Sequence, residues 1–234
     1  LGIFDDGDAV TLPELLSRLH ETVGNHKNGS SFRAKDLRSF LRLLVVLSQD
    51  YDVSLMNPPY GSQRRIPKSV RKYVSNKYTY SYDYYTSFFE VCSKLSKTSG
   101  RVGMLVPRSF MFNKSFEKFR KDFVGGEGRF EFLTEYGYGV LDNATVATVG
   151  TVVSISSSSN QNKGKFIRIS DTKKSKEEKY TEVVYSKRDK SELRRVYDRE
   201  VSSFEKIPSA PISYWMDEEI KDKYDSNTVL DAKR

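Results

Sequence analysis

Asp52-Val53-Ser54-Leu55-Met56-Asn57-Pro58-Pro59-Tyr60 is the stretch that decides how the chain folds. Its first five residues form a short strand pattern, and two consecutive prolines, which bring no N–H donors, cannot continue a central strand. Asn57-Pro58-Pro59-Tyr60 therefore marks the C-terminal end of a strand, the place where open α/β sheets bind ligands. At average residue frequencies one specified tetrapeptide falls by chance into about one chain in a thousand of this length. Its residue types suit one kind of chemistry. An exocyclic amine on an aromatic base is a poor nucleophile, because its lone pair is delocalised into the ring. Two acceptors aimed at its N–H groups favour a more tetrahedral nitrogen and expose that lone pair. The side-chain carbonyl of Asn57 and the backbone carbonyl of Pro58 can be those acceptors, and the prolines stiffen the loop that presents them. Tyr60 offers a flat face for stacking on a base that must leave its helix to be reached.

Working outward, residues 83–97 carry the apolar spacing of a helix (Tyr84, Phe88, Phe89, Val91, Cys92, Leu95), and Gly100 follows it. Residues 101–107 are almost continuously apolar, as in a buried parallel strand. A helix is expected from Asn113 or Ser115 to about Phe123, stopped by Gly125-Gly126-Glu127-Gly128, with strands over 129–136 and 148–156. Upstream, Thr11-Leu12-Pro13-Glu14 reads as a capped helix start with Leu12, Leu15, Leu16, Leu19 and Val23 on one face, and a second helix spans 34–48. This order predicts a parallel-rich α/β sheet with helices on both faces. Beyond the serine run at 156–159, residues 166–169 suggest a strand. Residues 191–204 suggest an amphipathic helix bearing Leu193, Val196, Tyr197, Val201 and Phe204.

Composition narrows the function classes. The 234 residues include 39 Lys+Arg and 31 Asp+Glu, so the net charge is +8. No run of 18 apolar residues is present, which argues against a membrane span. With 15 Tyr and 14 Phe the chain is too aromatic for a disordered one. One cysteine, Cys92, and two histidines, His20 and His26, rule out a disulfide framework and a Cys/His zinc site. The excess charge is local: residues 61–130 carry 15 basic and 5 acidic side chains. Its densest part, Arg64, Arg65, Lys68, Arg71, Lys72 and Lys77, has no acid between Gly61 and Tyr82 and is interleaved with Tyr73, Tyr78, Tyr80 and Tyr82. Cations mixed with aromatics suit phosphate contact and base stacking, and the competing reading is a solvated helix face. The block directly follows the tetrapeptide, which favours nucleic acid. No signal peptide is visible, and a cytoplasmic protein is expected.

Asp52 to Tyr60 resembles motif IV of the class I methyltransferases that act on planar amines, above all the N6-adenine DNA methyltransferases. Tyr82-Asp83-Tyr84-Tyr85, Arg101-Val102-Gly103-Met104-Leu105-Val106-Pro107 and the run RSFMFNKSFEKFRKDFV after it are similar to the segments that follow in that family. Ile207-Pro208-Ser209-Ala210-Pro211-Ile212-Ser213-Tyr214-Trp215 resembles an IPG-x-PI-x-YW stretch of the BREX phage-exclusion and fused restriction–modification enzymes. The resemblance implies a Rossmann-like sheet and methyl transfer from S-adenosylmethionine to a flipped adenine in double-stranded DNA. It assigns catalysis to Asn57, Pro58, Pro59 and Tyr60, cofactor contact to Asn57, Asp83 and Tyr84, and DNA contact to the six cations named above. It implies defence-system or restriction subunits as partners, with no membrane and no metal.

Two departures accompany it. Residues 1–56 lack the Gly-rich D/E-x-F-x-G-x-G turn that holds the cofactor head group, and Val140-Leu141-Asp142 stand where many relatives place an aromatic. The expectation is thus a catalytic half alone: a helical lead-in over 1–50, the catalytic half over 51–157, and a charged extension over 158–234 leading towards a missing target-recognition region. Such a chain is expected to be inactive or nearly so by itself. The alternatives are an RNA or protein-glutamine amine methyltransferase, and a nucleic-acid-binding remnant without catalysis. Asp83 doubles as a helix N-cap, Cys92 reads as a buried helix residue, and Tyr214 with Trp215 reads as a packing anchor, with contact to a base as the competing reading.

Overall fold

The apolar runs between residues 51 and 200 become six strands of one sheet. They are β1 (Tyr51–Met56), β2 (Ser96–Pro107), β3 (Gly128–Gly137), β4 (Thr148–Ile155), β5 (Lys163–Arg168) and β6 (Val196–Glu200), in the spatial order β1-β2-β4-β3-β5-β6. This computed structural model describes residues 11–25, 32–60, 67–141, 146–155, 163–185 and 195–226. The chain divides into two compact units, Leu1–Tyr51 and Asp52–Arg234. In the first, α1 (Leu12–Asn25) packs against α2 (Phe32–Leu47), close to the expected bounds. Leu12, Leu19, Leu37, Phe40 and Leu47 of this pair stay exposed. His20 lies on α1, and His26 falls outside the described residues.

The sheet is mixed rather than parallel-rich. β4 runs antiparallel to both β2 and β3, β3 and β5 are parallel, and β5 and β6 are antiparallel. The physical reason lies in the connection lengths. A parallel pair needs a crossover of a dozen or more residues, usually helical. The β3–β4 link, residues 138–147, is too short for one, so β4 returns beside β3. It inserts between β3 and β2, so 101–107 is a buried strand that runs antiparallel to β4, with β1 on its other side.

The alternation of β2 and β4 sends Val102, Met104, Val106, Val149 and Val153 to one face, where they are at most 3% exposed. Covering that face are α4 (Tyr84–Lys94) and the segment Phe119–Glu127, which winds as a π-helix. Between them sits an aromatic cluster of Phe89, Phe110, Phe119, Phe123 and Phe130, with Phe119 and Phe123 stacked at 5.2 Å. Cys92 is buried on α4, as expected. On the opposite face α5 (Lys176–Tyr185) packs Val183 against Ile167 and Ile169, with Tyr136 and Tyr180 alongside. Helices therefore lie on both faces.

Two sequence expectations are corrected. The helix over 113–123 is replaced by a 3₁₀ turn, Lys114–Phe116, and the π-helical segment. Of the helix over 191–204, residues 191–194 lie outside the described set, and the rest is strand β6 followed by the 3₁₀ segment Val201–Lys206. Strand β6 pairs with β5 along its length and packs Val196 and Tyr197 against the cores, and opposite charges face across the pair: Lys163 is 3.5 Å from Glu200, and Lys165 is 3.1 Å from Asp198.

The segment Ile207 to Trp215 is tied to the loop after β2 by Arg120, which is 2% exposed. Its guanidinium donates to the carbonyls of Phe110 (2.6 Å), Asn113 (2.8 Å), Ser209 (2.7 Å) and Ala210 (3.0 Å). Ser209 and Ala210 are both left-handed, at φ 67° and 47°. Beyond it lies α6 (Glu218–Ser226). No helix among the described residues is long and apolar enough to cross a membrane.

Candidate active site

β1 lies beside β2, and Asn57-Pro58-Pro59-Tyr60 leaves its end as predicted. Leu55 lies against Gly103 of β2, so close that a Cβ on Gly103 would sit 2.4 Å from a Leu55 methyl. The contact is with the tip of an exposed, flexible side chain, so Gly103 sets where the Leu55 side chain lies rather than how close the strands come. The single Tyr60 hydroxyl proton is shared between two acceptors, the Leu105 carbonyl at 3.0 Å and Asn57 Oδ1 at 3.2 Å. Those bonds fix the loop to β2 two residues before that strand ends at Pro107. Burial pushes the Tyr60 hydroxyl above its ordinary pKa, so it remains a donor. Pro58 is buried, Tyr60 half-buried, and Asn57 and Pro59 exposed.

Asn57 stands at the rim of a trough of about 700 Å³ on the face of the sheet opposite the aromatic cluster. Leu55 and Met56 line one side, and Tyr180 and Val184 of α5 line the other. Gly103, Leu105, Gly150, Phe132 and Tyr136 contribute from the strands between. The Tyr136 ring lies directly over Gly150, where a Cβ would sit 2.9 Å from the ring edge. The two strand glycines thus lower the floor under an apolar trough with one amide at its rim. These are site features that the tetrapeptide alone does not reveal; glycines within otherwise apolar strands are the sequence signal for them.

The other predicted residues fall in three places. Asp83 directly precedes α4 and is 9% exposed, and Thr86 Oγ1 donates to its carbonyl at 2.8 Å. Asp83 occupies the N-cap position of α4 with extended backbone, as expected, but its carboxylate makes no capping hydrogen bond to the helix. Asp83 and Tyr84 do not line the trough. Lys68, Arg71, Lys72 and Lys77 lie on α3 (Lys68–Lys77), which contains no acid. At 100° per residue, Lys68, Arg71 and Lys72 share one face, and Lys77 points about half a turn away. Arg64, Arg65 and Asp142 lie outside the described residues. α3 is joined to α4 through Glu90, which accepts from the Thr79 N–H and from Lys94, both at 2.7 Å. Among the described residues no His/Cys/Asp/Glu group could hold a metal.

The donor set can be set against S-adenosylmethionine. An apolar trough with an amide at its rim suits the methyl-bearing and base portions of such a molecule. A charged amino-acid head group and a ribose diol need carboxylates or a Gly-rich turn, and no carboxylate lines the trough. The lining therefore fits one end of such a molecule and not the other.

The Tyr214 side chain is fully buried, stacked on Phe166 at 5.3 Å, and its hydroxyl donates to Glu135 at 2.5 Å. It is an anchor, as expected. Trp215 is different: it remains 38% exposed.

Comparison with known proteins gives these shapes a context. The Eco57I restriction-modification methylase family matches residues 13–137. The adenine-specific methyltransferase PglX of Lacticaseibacillus casei (strain Zhang) is 28% identical over 77% of this chain and 15% of its own length. The adenine-specific methyltransferase BrxX of Escherichia coli O9:H4 (strain HS) is 23% identical over 89% of this chain and 17% of its own length. The chain spans about a sixth of these relatives. A modification subunit of a putative type I restriction enzyme from Vibrio vulnificus YJ016 superposes with a TM-score of 0.50 at 13% identity, covering 72% of this chain and 42% of the subunit. A chain of a type I restriction–modification assembly superposes at 0.53 and 16% identity, covering 71% and 37%. At such identities these two show a shared fold.

Proposed function

This chain belongs to the Eco57I restriction-modification methylase family, and from that premise we propose that it forms the amine-holding half of an adenine-specific DNA methyltransferase. The observation that supports this most is the strand-end tetrapeptide itself, with Asn57 at the rim of the trough and Tyr60 tied to Leu105. Asn57 Oδ1 and the Pro58 carbonyl accept the two N–H groups of a flipped adenine amine, which exposes the nitrogen lone pair. Asn57 Oδ1 now accepts from Tyr60. An incoming amine takes over that acceptor, and the Tyr60 hydroxyl stays on Leu105, so its ring is held in place for stacking. Pro59 keeps the loop from relaxing, and near-attack alignment of amine and donor then contributes much of the rate.

S-adenosylmethionine, when bound, supplies an electrophilic methyl group. In this reading Asn57 lies against its methyl-bearing end, while Asp83 and Tyr84, at the start of α4 and outside the trough, take no part in that contact. Its head group is held by residues outside this chain. Lys68, Arg71 and Lys72 on α3, with Arg64 and Arg65 before it, hold phosphates of double-stranded DNA; Lys77 reaches a different part of the backbone. The segment from 158 onward carries the catalytic half towards a target-recognition region, and the first 50 residues lead into it. The complete protein works in phage defence or restriction–modification, in the cytoplasm and with restriction-type subunits, and the 234 residues alone transfer little or no methyl.

Methyl incorporation by the full gene product tests this directly. Label from methyl-tritiated S-adenosylmethionine is expected in duplex DNA as N6-methyladenine. Label confined to RNA or to protein glutamine would replace the reading with one of its rivals, and no label in any of the three would leave a nucleic-acid-binding protein.

A further inference from the structure

A closed ring of contacts lies where β2 ends. Arg108, the residue after Pro107, donates from Nη1 to Glu135 at 2.6 Å. Glu135 accepts from Tyr214 through its other oxygen at 2.5 Å. Tyr214 meets Trp215 edge to face at 5.1 Å, Trp215 packs on Phe112 at 5.5 Å, and the Arg108 guanidinium lies over the Phe112 ring at 5.2 Å. The inner members are buried: Glu135 is 2% exposed and Tyr214 fully covered. The outer members are not: 41% of the Arg108 side chain and 38% of Trp215 face solvent.

A buried carboxylate is costly unless paired, and Arg108 supplies the pairing for Glu135 while much of its side chain stays at the surface. Here the carboxylate fixes one edge of the guanidinium and Phe112 supports its face, which leaves a planar cation held at the surface beside an exposed indole. Lys114, exposed two residues beyond Phe112, adds positive charge. An arginine fork fits phosphate oxygens, and an indole face accepts any base by stacking. Leu105, which anchors Tyr60, is three residues from Arg108, so the platform lies within about 10 Å of that anchor along the strand.

We propose that Arg108, Phe112 and Trp215 form a nucleotide-binding platform for the DNA strand that carries the target, with a phosphate on Arg108 and the base of a neighbouring unpaired nucleotide on Trp215. Tyr214 and Glu135 are positioning residues for it, and the Arg120 clamp keeps the Trp215 segment against the Phe112 loop. The proposal rests on the reading that the chain acts on DNA.

Trp215 is the single tryptophan among the 234 residues, so its emission reports on the platform alone. The chain is titrated with a fluorescein-labelled single-stranded thymidine oligonucleotide, and with the same backbone lacking bases. Anisotropy reads binding and tryptophan emission reads stacking. Saturable quenching is expected with the oligonucleotide and not with the abasic backbone. Arg108→Gln, checked for folding by circular dichroism, is expected to weaken binding several-fold and to lower the salt slope by about 0.7, one single-strand phosphate contact. Trp215→Ala is expected to cost roughly tenfold in affinity, the order of one stacked base. Binding without quenching, unchanged affinity and salt slope in Arg108→Gln, or no binding at all overturns the platform. Quenching that persists while the full gene product fails to methylate duplex DNA overturns the methyltransferase reading and leaves the platform standing.

Discussion

Replacing Arg120 by methionine should cost about 3–4 kcal/mol of stability, and the structure says why the figure is neither smaller nor larger. The side chain makes five hydrogen bonds to four backbone carbonyls, at 2.6 to 3.2 Å. At about 1.5–3 kcal/mol for a bond to a charged group, a simple sum over five would be about 8–15 kcal/mol. Three effects reduce it. Burial opposes the charge and pushes the Arg120 pKa down, and that desolvation cost disappears with the guanidinium. The carbonyl of Ser209 is only part-buried and regains water. The buried Phe110 and Ala210 carbonyls lose their Arg120 partner without such relief. The left-handed backbone at Ser209 and Ala210, roughly 1–2 kcal/mol each, is strain the clamp holds in the parent, so its relaxation lowers the cost further. In urea, with a slope of about 2 kcal/mol per molar, the midpoint should fall by about 2 M. Trp215 emission should shift red at lower urea than the loss of far-ultraviolet dichroism, because the segment 207–215 detaches first. A midpoint shift below about 0.5 M, with the two probes coincident, would refute the clamp as a net stabilising contact.

Ser209 is left-handed where the related IPG-x-PI-x-YW pattern carries glycine, so Ser209→Gly should raise stability by about 0.5–1 kcal/mol in the same urea assay. Gly150→Ala drives a methyl into the Tyr136 ring and should destabilise by about 1–3 kcal/mol. Gly103→Ala meets only Leu55, which is 79% exposed and can swing aside, so thermal melts should place it within about 0.5 kcal/mol of the parent. Lys68→Ala with Lys72→Ala should lower the salt slope for duplex DNA binding by about two; an unchanged slope would return α3 to a solvated helix face.

What the sequence made legible divides by range. Asn57 to Tyr60 could be placed because two prolines end a strand whatever surrounds them. The helices over 12–25 and 84–94 followed from local apolar spacing and capping. Sheet order and direction were harder, because the insertion of β4 between β2 and β3 depends on pairing between distant residues. The short 138–147 link was the one local clue to its direction. Residues 196–204 have a helical apolar period, yet 196–200 pair with β5, with Glu200 and Asp198 across from Lys163 and Lys165, a pairing that periodicity cannot express. The trough eluded the reading for a similar reason: Gly103 and Gly150 matter only once Leu55 and Tyr136 lie over them. The Arg108–Glu135–Tyr214 ring joins residues up to 106 positions apart, and only the final Tyr-Trp pair hinted at it.

The central claim is that Asn57 holds the amine that is methylated. The measurement that tests it most directly is the rate of N6-methyladenine formation in duplex DNA by the full gene product carrying Asn57→Ala, under saturating S-adenosylmethionine and with DNA binding measured alongside. The account predicts a fall of about a hundredfold or more, the order seen when one preorganised hydrogen-bonding group is lost from a reacting centre, with DNA affinity unchanged. A variant that methylates adenine at the parent rate would contradict it.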